Sequence, residues 1–145
     1  ESVGGAMIVP LLPSGDVVMV EQYRYLDDRM ILEFPCGGLQ DKENSYQAAE
    51  RELSEETGYR AAMLQKIGEF SSSNGVARDS IHTFIAQGLH KIGDPQNEIT
   101  GELKIYTFSP HECEKLILAG KIWDGQTLAA WMLVRLFREH NSTIS

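Results

Sequence analysis

Four glutamates, Glu50, Glu52, Glu55 and Glu56, crowd into seven consecutive positions of a segment that the other local signals mark as a helix. Asn44 stands where an N-cap belongs, and Gln47 three residues later completes a capping box. Gly58 occupies the expected C′ position, where a left-handed backbone ends a helix. At about 100° per residue, Glu52 and Glu56 lie roughly 40° apart on the helical wheel, and Glu55 about 60° to the other side of Glu52. Three carboxylates therefore share one face. Tyr46, Ala49 and Leu53 cluster on an adjacent face, which is expected to be buried. Like charges at i,i+4 cost an isolated helix roughly 0.2–0.5 kcal/mol. Glu55 and Glu56 also sit at the wrong end of the helix dipole. Arg51 can offset this by pairing with Glu55 at i,i+4, which would leave a solvated acidic face. A hard divalent cation such as Mg²⁺, which takes oxygen ligands, can offset it too. The residues alone leave both readings open.

Strand patterns surround this helix. Gly5 to Pro10 is apolar and β-rich, Pro13 to Asp16 is a turn, and Val17 to Tyr23 follows, which together read as a hairpin. Tyr25 to Arg29 is a polar connection, Met30 to Phe34 is a short strand ended by Pro35, and Gly37-Gly38 opens a loop. After the helix, strands fit Leu64 to Phe70 and Ile81 to Gln87, separated by the serine-rich loop Ser71 to Asp79. A second polar loop spans Gly93 to Gly101, and Leu103 to Phe108 alternates as a strand. Ser109-Pro110-His111-Glu112 supplies a cap, a proline at N1 and a glutamate at N3, and that helix stops at Gly120. A last helix runs from about Gly125 to His140. Strands, a helix, more strands and two helices describe an α/β (α+β) sandwich rather than a regular βαβ chain.

The 145 residues suit one domain, 1–145, with its own core, although residues upstream of Glu1 could be missing. A formal charge of −8 argues against a nucleic-acid surface, yet leaves room for a small phosphate ligand, because a bound divalent ion inverts the local sign. No apolar run approaches the roughly 20 residues of a membrane span. Cys36 and Cys113 offer no metal-binding spacing and require no disulfide, so a reducing cytoplasm is the natural setting.

The segment Gly37 to Tyr59, GGLQDKENSYQAAERELSEETGY, resembles the Nudix box, G-x5-E-x7-R-E-U-x-E-E-x-G-U with U apolar. Gly37, Glu43, Arg51, Glu52, Glu55, Glu56 and Gly58 fill every fixed position, and Leu53 fits the first apolar one. Tyr59 fits the second only loosely. Seven such matches arise by chance on the order of once in 10⁸ starts at ordinary residue frequencies. VEQYRY (Val20 to Tyr25), LEFPCGG (Leu32 to Gly38) and KIWDGQTLAA (Lys121 to Ala130) extend the resemblance to the ADP-ribose pyrophosphatase branch of the Nudix hydrolases.

The resemblance implies a Nudix-type α/β/α sandwich with a mixed central sheet, and a loop–helix–loop that holds Mg²⁺, for which Mn²⁺ can substitute. Glu52, Glu55, Glu56 and the backbone carbonyl of Cys36 would be the metal ligands. Arg51 would orient a metal-binding glutamate, and Glu43 would brace the loop. Arg24 would contact a substrate phosphate, with Glu33 touching substrate or bracing the metal loop. Asp79 would stand in for an acidic residue of the loop after the box. The general base would be Glu102, with Glu98 as second choice. The implied reaction is hydrolysis of the pyrophosphate bond of ADP-ribose or a related ADP-sugar, by a possible homodimer. Asn74 replaces a proline usual in that branch, so the sugar nucleotide stays open. Two alternatives remain: a pyrophosphohydrolase of nucleoside triphosphates or dinucleoside polyphosphates, and a non-catalytic Nudix domain that senses such ligands.

Overall fold

One strand buried on both faces organises the molecule. The computed structural model describes residues 3–96 and 103–141. Strand β1 (Val3–Pro10) carries Ala6, Met7, Ile8 and Val9, each at most 1% exposed. Their alternation sends Ala6 and Ile8 to one core and Met7 and Val9 to another. Continuous apolar sequence is what such a doubly covered strand needs.

The remaining elements are β2 (Val17–Arg24), β3 (Arg29–Glu33), β4 (Cys36–Gly38), helix α1 (Ser45–Thr57), β5 (Tyr59–Phe70), β6 (Asp79–Lys91), β7 (Leu103–Phe108), α2 (Pro110–Leu118) and α3 (Gly125–His140). They form two sheets, ordered β4-β1-β6-β5 and β3-β2-β7. The first is mixed: β1 runs parallel to β6 and antiparallel to β4, and β5 runs antiparallel to β6. The second is antiparallel throughout. Helix α1 covers one face of the mixed sheet, burying Ala48, Ala49 and Leu53 against Ala6, Ile8, Phe84 and Ala86. The other face packs Met7, Val9 and Ile85 against Met19, Cys113, Trp131 and Val134, and so gathers β2, α2 and α3. Each large apolar side chain buried in this way contributes roughly 1.5–3 kcal/mol. The layering is the mixed α/β sandwich expected from the sequence. No described helix is long and apolar enough to cross a membrane.

The expected hairpin does not form. The turn after β1 closes, with the Leu12 amide donating to Asp16 O at 2.9 Å and Gly15 at φ +90°. Only the single bridge Leu11–Val17 joins the two arms. Strand β1 already has β4 on one edge and β6 on the other, so β2 has no edge to join and begins the second sheet. Gly37-Gly38, expected as a loop, pairs as strand β4 with Ala6 and Gly5. Tyr46 also departs from expectation. It is 46% exposed, touching Phe84 edge-on, while Ala48 takes the buried position.

The caps of α1 behave as the sequence indicates. Asn44 Oδ1 accepts from the Gln47 amide at 2.8 Å, and the Asn44 amide donates in return to Gln47 Oε1 at 3.0 Å. Gly58 adopts φ +74°, and a Cβ there would meet Gly93 O at 2.2 Å. Only glycine both reverses the chain and admits the end of β6, whose following residue Ile92 donates to Gly58 O at 2.8 Å.

Candidate active site

Arg51 ties the loop before α1 to the carboxylates on it. Its guanidinium grips Glu43 through two parallel bonds, Nε to Oε1 at 2.8 Å and Nη2 to Oε2 at 3.0 Å. Nη2 also reaches the carbonyl of Gly38 at 2.9 Å. Nη1 donates to Glu52 Oε1 at 2.5 Å and to Glu55 Oε2 at 3.3 Å. One planar fork thus fixes the β4–α1 loop and orients two carboxylates, a task for which lysine lacks the geometry. Glu43 accepts the Gln40 amide as well, and these bonds hold its carboxyl below the usual range. The Glu52 carboxylate rests over Gly37 so closely that a Cβ there would stand 1.9 Å from Oε1. The first glycine of the box is therefore a space requirement of the glutamate on α1.

Glu56 turns to the other side of this loop and accepts the Cys36 amide at 2.9 Å. Burial raises its proton affinity, and nearby Glu52 raises it further, to a pKa of about 8. Glu52 is also pushed up, chiefly by burial, even with Arg51 beside it. The Cys36 thiol is raised to about 12 by burial and by the surrounding carboxylates, so it is no nucleophile at neutral pH. Among the described residues, no three His, Cys, Asp or Glu side chains already converge as a ligand set. Glu52 and Glu55 lean on Arg51, and Glu56 on the Cys36 amide. The donor chemistry nevertheless fits a hard divalent ion. The groups are carboxylate oxygens one turn apart, and two are held partly out of water at a cost that Arg51 does not remove.

A cleft of about 560 Å³ opens beside Cys36 and runs along the end of β2, with Arg24, Glu33, Trp123, Asp124 and Gln126 in its wall. That volume suits a ligand of nucleotide-sugar size. Glu33, 7% exposed, receives Arg24 in a fork, with Nε to Oε1 at 2.9 Å and Nη2 to Oε2. Burial raises the Glu33 pKa, and Arg24 opposes the rise. A polar relay closes the far wall. The Phe34 amide donates to Thr127 Oγ1 at 3.2 Å, and that hydroxyl donates to Asp124 Oδ2 at 2.7 Å. Asp124 also caps α3 by accepting the Thr127 amide at 2.9 Å.

The structure brings Arg24, Glu33 and Cys36 together in the cleft and sets Glu56 behind Cys36. Arg51, Glu52 and Glu55 form the adjoining cluster. Asp79 is not brought there. Its carboxylate accepts the Ser72 amide at 2.9 Å and the hydroxyls of Ser71 and Ser72, and so closes the loop after β5. Asn74 and Asp79 line a separate depression in that loop. Glu98 and Glu102 lie outside the described residues. Asp124, Gln126 and Trp123 were not singled out from sequence. Asp124 caps the helix whose start near Gly125 the sequence does indicate, but nothing local places it beside the cleft.

The NUDIX domain model matches residues 2–131 of the chain. The chain is 31% identical to the ADP-ribose pyrophosphatase of Bacillus subtilis (strain 168), covering 92% of this chain and 72% of that protein. It is 31% identical, with the same coverage of each, to the methanol dehydrogenase activator of Bacillus methanolicus. It is 30% identical to the GDP-mannose pyrophosphatase of Yersinia enterocolitica serotype O:8 / biotype 1B (strain NCTC 13174 / 8081), over 86% of this chain and 69% of that one. A crystal structure of an ADP compounds hydrolase has the same fold, with a TM-score of 0.88 at 21% identity, covering 99% of this chain and 77% of that one. The chain belongs to the NUDIX family of pyrophosphohydrolases, whose members generally use a divalent metal.

Proposed function

We propose that the chain hydrolyses the pyrophosphate bond of a nucleoside diphosphate sugar, ADP-ribose or a related ADP-sugar, giving a nucleoside monophosphate and a sugar phosphate. One observation carries this reading. The Cys36–Glu56 bond sets the acidic helix directly behind a nucleotide-sized cleft whose wall presents a fixed arginine. The relatives named for ADP-ribose and GDP-mannose support the substrate class.

Mg²⁺, or Mn²⁺ in its place, would be held by Glu52, Glu55, Glu56 and the Cys36 carbonyl. When bound, it neutralises phosphate oxygens and lowers the pKa of the attacking water. The protein's own groups do the positioning. Arg51 holds the Glu52 and Glu55 carboxylates together on α1, and Glu43 keeps Arg51 in place. Glu33 uses Nε and Nη2 of Arg24, which leaves Nη1 for a phosphate oxygen. Glu33 thus positions the arginine instead of meeting substrate itself. Glu102, or failing that Glu98, would take the proton from water. The proposal also includes one Nudix domain over the chain, a homodimer and a cytoplasmic setting, which gel filtration and cell fractionation check.

A substrate panel with Mg²⁺ tests the reading: ADP-ribose, other nucleoside diphosphate sugars, triphosphates and dinucleoside polyphosphates. ADP-ribose should give AMP and ribose 5-phosphate. Preferential cleavage of triphosphates would overturn it.

A further inference from the structure

Trp123 stands at the mouth of the cleft, 57% exposed, on a connection that is pinned at both ends. Before it, the Lys121 amide donates to Leu116 O at 2.9 Å, and Ile122 is buried at 2% exposure. After it, Asp124 caps α3 and is tied through Thr127 to Phe34. The side chain itself is held too. The Arg29 guanidinium lies over the indole, 4.4 Å from the ring centroid. Arg29 opens β3 directly opposite Arg24 in the register, so the arginine fixing this ring and the one facing the phosphates share a face of the second sheet. Tyr23, Tyr25 and Leu26, all exposed, complete a largely apolar rim on the same cleft. Tyr23 is fixed by its hydroxyl on Asp28.

An exposed indole with a locked backbone and a cation on one face is a preorganised flat surface. The wall at Arg24, next to Cys36, takes the diphosphate in the functional reading above, on which this inference rests. What remains of a nucleotide sugar is a polyhydroxylated ring and a planar heteroaromatic one. The rim offers the aromatic faces of Trp123, Tyr23 and Tyr25, with Asp27 and Gln126 beside them to meet the polar edge of a base, which suits the second. We propose that Trp123, backed by Arg29, is the platform on which the nucleobase of the substrate stacks, and that it sets the preference for a nucleotide over a bare sugar diphosphate.

Intrinsic fluorescence reads this directly, because Trp131, the other tryptophan, is 5% exposed in the core. AMP and ADP should quench the wild-type protein and leave the Trp123→Phe emission unchanged. Ribose 5-phosphate and pyrophosphate should not quench. In steady-state kinetics, Trp123→Ala should raise KM by about ten-fold with kcat changed less than about two-fold, as loss of a base–aromatic stack predicts. Trp123→Phe should recover most of the loss. Quenching by ribose 5-phosphate as strong as by AMP, or an unchanged KM in Trp123→Ala, would overturn the platform. If wild-type protein hydrolysed no nucleotide sugar, the functional reading would fail instead, and the AMP quenching would still decide the role of Trp123.

Discussion

Gly37 lies beneath the carboxylate of Glu52, with room for a hydrogen and for nothing larger: an added Cβ would stand 1.9 Å from Oε1 and 2.7 Å from Oε2. The obstacle is the tip of a side chain, so Gly37→Ala would displace Glu52 and leave the strand in place. Misplacement by about an ångström costs a reaction on the order of 10²-fold. The variant should therefore lose about that much kcat while its thermal melting stays near that of the parent. Circular dichroism and a rate assay on the same preparation check both halves.

Arg51 should respond differently, because it serves structure and site at once. Arg51→Ala frees Glu43, Glu52 and Glu55 together and removes the link to Gly38 O. Charge-assisted hydrogen bonds of this partly exposed kind are worth about 1–2 kcal/mol in net stability. Urea denaturation should show a loss of that order, with a larger fall in activity. Arg51→Lys keeps the charge but not the fork, and should recover stability better than rate.

Glu56 gives the metal-free protein a pH signature. Its folded pKa, pushed up to about 8, lies above the ordinary value of 4.5, so between these pH values the folded form binds the extra proton. Stability then falls as pH rises through that window. The midpoint of thermal unfolding in EDTA should drop from pH 5.5 to pH 8.5, and Glu56→Gln should flatten the drop. Added Mg²⁺ should stabilise the parent more at pH 8.5 than at pH 5.5, since the ion binds the deprotonated carboxylate.

Asp124 couples the end of the cleft to α3. Asp124→Ala removes the cap on the Thr127 amide and the acceptor of its hydroxyl. Loss of an N-cap costs about 1 kcal/mol. Chemical denaturation should report that loss, and the fluorescence of Trp123 should shift as its connection loosens.

Much of this site could be read from the chain alone because it is local. The caps of α1 and the pairing of Arg51 with Glu55 lie within a few turns of one helix, whereas Glu56, counted with Glu52 and Glu55 on one face, turns instead to the Cys36 amide. The buried stripe was read less well: Tyr46 stays half in water because Phe84 meets it only edge-on, while Ala48 lies flat against β1 and β6. What escaped the sequence is long-range. The turn at Pro13 to Asp16 carries every hairpin residue, yet β1 had both edges occupied by β4 and β6, and no local pattern reveals that competition. The bond from Phe34 to Thr127 spans 93 residues, so the place of Asp124, Trp123 and Gln126 beside the cleft depends on tertiary packing. The fork between Arg24 and Glu33 is intermediate: both ends were named as site residues, but the register sets Glu33 opposite Val20 and Arg24 opposite Arg29, so they meet only because the long Arg24 side chain reaches back along the same face of the sheet.

The central claim is that α1 gathers a divalent ion beside a pyrophosphate. The most direct test is the rate of AMP and ribose 5-phosphate release from ADP-ribose with Mg²⁺, measured for the parent and for Glu56→Gln, whose metal-free melting should be no lower than the parent's at pH 8.5. The account predicts Mg²⁺-dependent release by the parent and a loss on the order of 10²-fold or more in the folded variant. Equal rates from the two proteins, or parent turnover indifferent to EDTA, would contradict it.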